Sequence, residues 1–327
     1  MLHVFTSGGG GLHRAREAEA DGGPLPAESV WLDLVDPTPG ELARAEALLG
    51  TPLPTREQMA EIEESSRLRL TPEAIRLTVM VLVWADTDQP RITPVSFVLA
   101  GRRLATIHHI DPQPFLAFRR RVVRHGFAGT TGDAVLAALV EGIVERTAAV
   151  LRRVGLELDR LGGRAFRGRS LPVRGEGRDD SRTLKRIGQA GHRVGKARLS
   201  LAGLARILTV LARGEGSAAA KTTRRWARAA LQDVTGLDQY ARFLSGKAAL
   251  LLDTTLGRIN VEQTEIVKIV SILTVALFPP TLVASVFGMN FGGMPGTGWP
   301  GGYPAALLLM ALAALLPILW VKARRWL

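Results

Sequence analysis

The run IVSILTVALFPPTLVASVFGMNFGGMPG (Ile269–Gly296) carries no Asp, Glu, Lys, Arg or His, in a chain whose formal net charge is +12. The charge-free composition continues through YPAALLLMALAALLPILW (Tyr303–Trp320) to Val321. Such a stretch accommodates two helices of about 20 residues and a connecting loop, the dimension that a bilayer core requires. Lys268 precedes the first span, and Lys322, Arg324 and Arg325 follow the second. Cations at both feet of a hairpin predict that the feet stay on the cytoplasmic side of the plasma (inner) membrane, and both termini with them. The neutral decade FGMNFGGMPG then faces outward, at the mouth of whatever the hairpins build.

Before Lys268 the chain reads as a soluble, Arg-rich protein. The 327 residues contain no cysteine, which excludes disulfides and thiolate metal sites. MLHVFTSGGGGLHRA has no apolar core of the kind a signal peptide needs. Residues 1–29 read as a short strand followed by loops. VWLDLVD (Val30–Asp36) alternates as a strand does. TPGELARAEALLG opens a helix with Thr38 as N-cap and Pro39 at the first position. TREQMAEIEESSRLRL (Thr55–Leu70) predicts a second helix, boxed by Thr55 and Gln58. IRLTVMVLVW, ITPVSFVLA and RLATIHHI are β-rich. The first 112 residues therefore predict an α/β domain, a mixed sheet with helices around it. Residues 113–220 predict an antiparallel helical pair. A helical pattern resumes near Lys221 and meets no proline until Pro279; some sixty residues span roughly 90 Å. The organisation expected is a stalk helix (221–268), a first transmembrane helix (269–287), an external loop (288–302), a second transmembrane helix (303–321) and a basic tail (322–327).

Two membrane helices cannot enclose a path alone, so transport requires an oligomer. Ser271, Thr274, Phe278, Thr281 and Ser285 recur at alternating steps of three and four, the spacing that faces a common axis. Hydroxyls so placed either wet a pore or glue helices and back-bond to carbonyls. The second span has no such stripe and reads as a lipid-facing outer ring. Pro279–Pro280 predicts a kink rather than a stop, because neighbours or water satisfy the freed carbonyls. At Gly288, Met289 and Asn290, carbonyl and amide oxygens offer uncharged acceptors. Mg²⁺ dehydrates reluctantly, and neutral acceptors hold its water shell without trapping the ion. The competing reading is a plain Gly/Asn turn.

GMNFGGMP between two C-terminal spans resembles the CorA family of divalent-cation channels. The similarity extends through INVEQTEIVKIVSILTVALFPPTLVASVFGMNF, the GYP opening the second span and the basic VKARRWL end. It also takes in WLDLVDPTPGE and LPTREQMAEIEESSRL near the N-terminus. The resemblance implies a homopentamer with a cytoplasmic funnel, admitting Mg²⁺ with Co²⁺ and Ni²⁺ as surrogates. It also implies that cytoplasmic Mg²⁺ is a regulatory ligand as well as the substrate, with no prosthetic group. The family's selectivity motif falls on Gly288, Met289 and Asn290. Its pore-lining positions fall on Thr264, Val267, Val270, Thr274, Phe278 and Thr281. Its acidic ring falls on Asp253, where five carboxylates around an axis repel one another unless a cation or protons lie between them. Further acids expected in gating are Asp86, Asp88, Asp233 and Asp238.

The chain departs from that pattern in two places. Met294-Pro295-Gly296 replaces an acidic MPE, as in the zinc-transporting ZntB branch, and the helical pair is Arg-rich rather than acid-rich. Zinc favours His and Cys ligands, which the membrane segment lacks. His108 and His109, adjacent on a strand, point to opposite faces and cannot share an ion. A proton-coupled zinc transporter and a non-transporting scaffold are the alternatives. GQAGHRVGK (Gly188–Lys196) imitates a phosphate loop but lacks its first Gly and its Ser/Thr. The basic region lacks the interleaved aromatics of a nucleic-acid surface, which leaves membrane lipid as its simpler partner. The chain is read as a transporter and not an enzyme.

Overall fold

The computed structural model describes residues 1–16, 23–61, 68–87, 89–165, 176–214, 221–289 and 300–323. The chain divides into two compact units, Met1–Gly168 with Ser181–Leu252, and Arg169–Asp180 with Asp253–Leu327.

The first unit is built on a mixed sheet of seven strands. These are β1 (Leu2–Gly8), β2 (Gly11–Arg14), β3 (Ser29–Val35), β4 (Leu68–Leu70), β5 (Ala74–Val83), β6 (Arg91–Ala100) and β7 (Arg103–His108). Their order is β2-β1-β3-β7-β6-β5-β4. β3 and β7 pair in parallel, with Trp31 opposite Leu104, while the other neighbours run antiparallel. Period-two alternation then assigns each side chain to a face. Trp31 and Leu104 enter the core built with α3 (Gln113–His125), α4 (Gly132–Ala165), α5 (Glu176–Arg213) and α6 (Lys221–Phe287). Leu32, Leu34, Ala105 and Ile107 enter the other core, with Ala45 of α1 (Pro39–Leu49) and Met59 of α2 (Arg56–Ala60). The sheet is thus covered by helices on both faces.

Local chemistry sets the helix starts. Thr38 and Glu41 form a reciprocal capping box ahead of α1, which ends on Gly50 at φ 69°. Thr55 and Gln58 form a second box ahead of α2. The single helix expected over Thr55–Leu70 is corrected. It stops at Ala60, residues 62–67 lie outside the described residues, and Leu68–Leu70 is the edge strand β4, with Leu68 opposite Leu77. The RLRL alternation fits a strand, and backbone pairing with β5 outweighs helix propensity there. The N-terminal segment also holds more than one strand. Gly9 and Gly10, at φ 59° and 85°, make the two-residue turn joining β1 to β2.

A buried polar network ties the sheet to α3. Asp33 on β3 is fully buried. It accepts from the Thr106 hydroxyl at 2.6 Å, lies 3.0 Å from His108 Nε2 and is paired with Arg119 of α3. Arg119 also pairs with Asp111, and Trp31 Nε1 donates to Thr106 at 2.9 Å. Burial alone would raise the Asp33 pKa. The His108 charge and hydrogen bond, with Arg119 and Thr106, overcome that and hold it down at about 2.

The second unit contains, among its described residues, the start of α5, the part of α6 beyond Leu252, and α7 (Gly302–Ala323). Asp180 is buried and pairs with Arg258. Two helical stretches are long and apolar enough to cross a membrane, Thr222–Phe287 and Gly302–Trp320, and no part of their apolar windows is buried within the chain. α6 runs through Pro279–Pro280 without stopping, as expected for a membrane helix.

Asp33→Asn is expected to cost about 3 kcal/mol of unfolding free energy, because it removes the fully buried one of the two carboxylates that compensate the Arg119 guanidinium and leaves only the partly exposed Asp111. The Asp33 pKa is depressed below the unfolded value of about 3.9, so its contribution is complete above that pH and is lost as pH falls towards 2. Denaturant unfolding of both proteins should therefore show a stability gap at pH 7 that narrows between about pH 4 and 2.

Candidate functional site

The candidate path begins on α6, whose residues from Val261 to Phe287 face outward in the single chain, apart from a few half-buried positions. Val267 is 63% exposed and Phe278 67%, values that a lone water-soluble helix would not sustain at consecutive apolar turns. The predicted stripe therefore lies on an uncovered surface. Ser271, Thr274, Phe278, Thr281 and Ser285 are all exposed, as are Thr264 and Val270.

The hydroxyl groups have a definite local chemistry. Thr264 donates to Asn260 O at 2.8 Å, Thr274 to Val270 O at 2.8 Å and Thr281 to Leu277 O at 2.7 Å. Each threonine thus commits its proton to the carbonyl one turn back. The hydroxyl oxygen is left to act as an acceptor, with lone pairs and no spare donor. Back-bonding and solvation of a cation are therefore compatible roles for the same side chain. A column of such oxygens suits a hydrated cation better than an anion.

α6 ends in a tight turn. Gly288 N donates to Ala284 O at 2.9 Å and Met289 N to Val286 O at 3.3 Å. A Cβ on Gly288 would lie 3.2 Å from Ala284 O, closer than most side chains tolerate, so glycine suits the start of the motif for steric reasons. Asn290 lies outside the described residues, as do Asp88, Arg324 and Arg325. Lys322 belongs to α7, but its side chain is also outside them.

The acidic candidates divide into two groups. Asp86 is paired with Arg146 and Arg153, and Asp238 with Arg198 at 3.4 Å and Arg242 at 2.7 Å. Partial burial pulls the Asp86 pKa up, but the hydrogen bonds and charges of its two arginines outweigh this, and it is lowered. Asp233 and Asp253 are exposed and have no ion-pair partner among the described residues. Among those residues no group of three or more His, Cys, Asp or Glu is placed to hold a metal within one chain.

His108 and His109 take up opposite environments, as adjacent residues in β7 and the turn after it should. His108 faces Asp33 in the core, and His109 lies 2.9 Å from Asp36 at the surface. Gly188–Lys196 lies within α5, where backbone N–H groups are committed to the helix and cannot cradle a phosphate. Two buried or partly buried ion-pair features escaped the sequence reading. One is the Asp33–Arg119 pair; the other is the grip of Arg146 and Arg153 on Asp86. The seven-residue spacing of those arginines was the available signal, since it sets them on one helix face.

Comparison with known proteins places these features in context. The family described as CorA-like Mg²⁺ transporter protein matches residues 26–324. The chain is 30% identical over 327 residues to proteins named magnesium transport protein CorA from Yersinia pseudotuberculosis serotype I (strain IP32953) and Escherichia coli (strain K12). All of this chain and all of each relative are covered. The solved structure titled as the complete CorA magnesium transporter from Methanocaldococcus jannaschii superposes with a TM-score of 0.72 at 15% identity. That superposition covers 98% of this chain and 97% of the other.

Proposed function

Since the chain belongs to the CorA-like Mg²⁺ transporter family, we propose that it is a membrane channel-type transporter, and not an enzyme, that admits Mg²⁺ into the cell. Co²⁺ and Ni²⁺ are surrogates of similar size and hydration. The observation that carries this reading is the Gly288-Met289-Asn290 motif at the end of an uncovered helix striped with proton-committed hydroxyls. Five copies arranged about an axis cover the exposed α6 surface and enclose the path lined by Thr264, Val267, Val270, Ser271, Thr274, Phe278, Thr281 and Ser285. Uncharged oxygens at Gly288 and Asn290 replace or hold the outer water shell, while Phe278 narrows the passage. α7 contacts lipid, and the basic residues Lys268, Lys322, Arg324 and Arg325 hold both termini on the cytoplasmic side of the plasma membrane.

Gating by cytoplasmic Mg²⁺ is part of the same proposal. Asp253, exposed and without an ion-pair partner among the described residues, is the leading acid for a site shared between subunits, with Asp233 as a second. Asp238 and Asp86 are already engaged by arginines, and Asp88 completes the acidic set. Bound Mg²⁺ relieves repulsion between neighbouring Asp253 side chains and favours the closed state.

The driving force is the membrane potential. A divalent cation gains about 4.6 kcal/mol per 100 mV, twice the single-charge value of about 2.3. That supports roughly a thousandfold accumulation without coupling. The zinc–proton alternative requires carboxylate, His or Cys side chains along the membrane path, and residues 269–321 have none.

Asn290→Ala in the reconstituted protein should abolish Mg²⁺ influx while leaving the assembly's mass unchanged; influx equal to the parent would reject the assignment. Thr274→Val and Thr281→Val keep the side-chain shape but remove an acceptor. Each should lower Mg²⁺ flux several-fold with helix content by circular dichroism unchanged. Unaltered flux in both would mean that the hydroxyls serve only the helix. Replacing Asp253 by Asn should make the protease-cleavage pattern of the cytoplasmic unit insensitive to Mg²⁺, and a retained response would move the gate elsewhere.

A further inference from the structure

The arginines that surround Asp86 form part of a longer ladder within the first unit. Arg146 and Arg153 on α4 donate to the two oxygens of Asp86, which sits in the turn between β5 and β6. Four residues beyond Arg153, Glu157 accepts from two arginines of α5, Arg186 at 3.0 Å on Oε1 and Arg193 at 3.2 Å on Oε2. Arg186 and Arg193 are again seven apart, on one helix face. All four carboxylate oxygens are thereby engaged, and four guanidinium groups face two carboxylates.

A cleft of about 180 Å³ opens into this seam. Val150 and Val154 provide apolar contact, while Asp86, Arg153, Glu157 and Arg193 supply its polar wall. Arg193 is largely buried, yet its Nε–H has no acceptor among the described residues. A buried guanidinium N–H without an acceptor costs free energy. Among the described residues the seam thus combines excess positive charge, an unfilled donor and space. A water occupies about 30 Å³ of liquid, so the cleft takes one tetrahedral oxyanion with part of its hydration.

From these features we infer that the seam between the β5–β6 turn, α4 and α5 is a binding site for a phosphate-class oxyanion, with Arg193 and Arg153 as its ligands. Guanidinium groups match tetrahedral oxyanions with paired, charge-assisted hydrogen bonds. A divalent cation is disfavoured there, because the carboxylate oxygens are committed and the local charge is positive. The site lies wholly within the first unit. It does not depend on the ion pathway, and each can fail without the other.

The test is equilibrium dialysis of the full-length protein in detergent against radiolabelled inorganic phosphate, with chloride holding ionic strength constant. Saturable binding is expected. Arg193→Gln should weaken it by about tenfold or more. Glu157→Gln should tighten it, since removing the competing carboxylate frees two guanidinium groups. Adenosine monophosphate as competitor separates the sources: displacement identifies a phosphomonoester site, and no displacement identifies a site for the free ion. Absence of saturable binding, equal binding by Arg193→Gln, or weaker binding by Glu157→Gln would overturn the assignment. If Arg193→Gln does not fold, the direction of the Glu157→Gln change decides the question.

Discussion

No Asp, Glu, Lys, Arg or His lies between Ile269 and Val321, and the apolar windows of the two candidate spans there are left unburied by the rest of the described chain. That constraint governs everything else. An apolar helix of this length is stable only in lipid or against other helices, and two helices cannot surround a path. On the proposed function, transport depends on copies of the chain meeting along α6. In that proposal the hydroxyl column meets the helix's needs and those of a hydrated ion together. Each threonine satisfies a carbonyl of its own turn and still presents an oxygen outward.

The first unit solves a different problem. Its sheet is covered on both faces, so the polar groups it buries must be satisfied internally. Asp33, Thr106, His108 and Arg119 do this where the parallel pair β3–β7 meets α3. Away from the sheet, arginines neutralise Asp86 and Glu157. Positive charge built into the chain can hold helices together whatever the cation concentration. A carboxylate left without such a partner, such as Asp253, keeps the capacity to respond to ions.

The legible parts of the fold were those fixed by local chemistry. Thr38 and Thr55 announced their helices by capping boxes, and alternation in VWLDLVD announced β3. Composition alone identified the two candidate spans. β4 was misread because three residues carry little periodic signal, and its state depends on a partner strand distant in sequence. The β1–β2 turn was missed although Gly9–Gly10 has the right length and glycine content for it. At the candidate site, the stripe on α6 followed from spacing. The pairs of Asp86 with Arg146 and Arg153, and of Asp238 with Arg198, did not, because which carboxylate an arginine meets across elements is set by tertiary packing; only Asp238–Arg242, four residues apart on α6, was open to reading from sequence interval.

The central claim is that divalent cations cross this protein down the membrane potential without proton exchange. It is tested most directly in proteoliposomes in which valinomycin clamps the potential while the pH gradient alone is varied. Mg²⁺ influx should rise with inside-negative potential and stay constant across pH gradients at fixed potential. Influx that follows the pH gradient at constant potential would contradict the account.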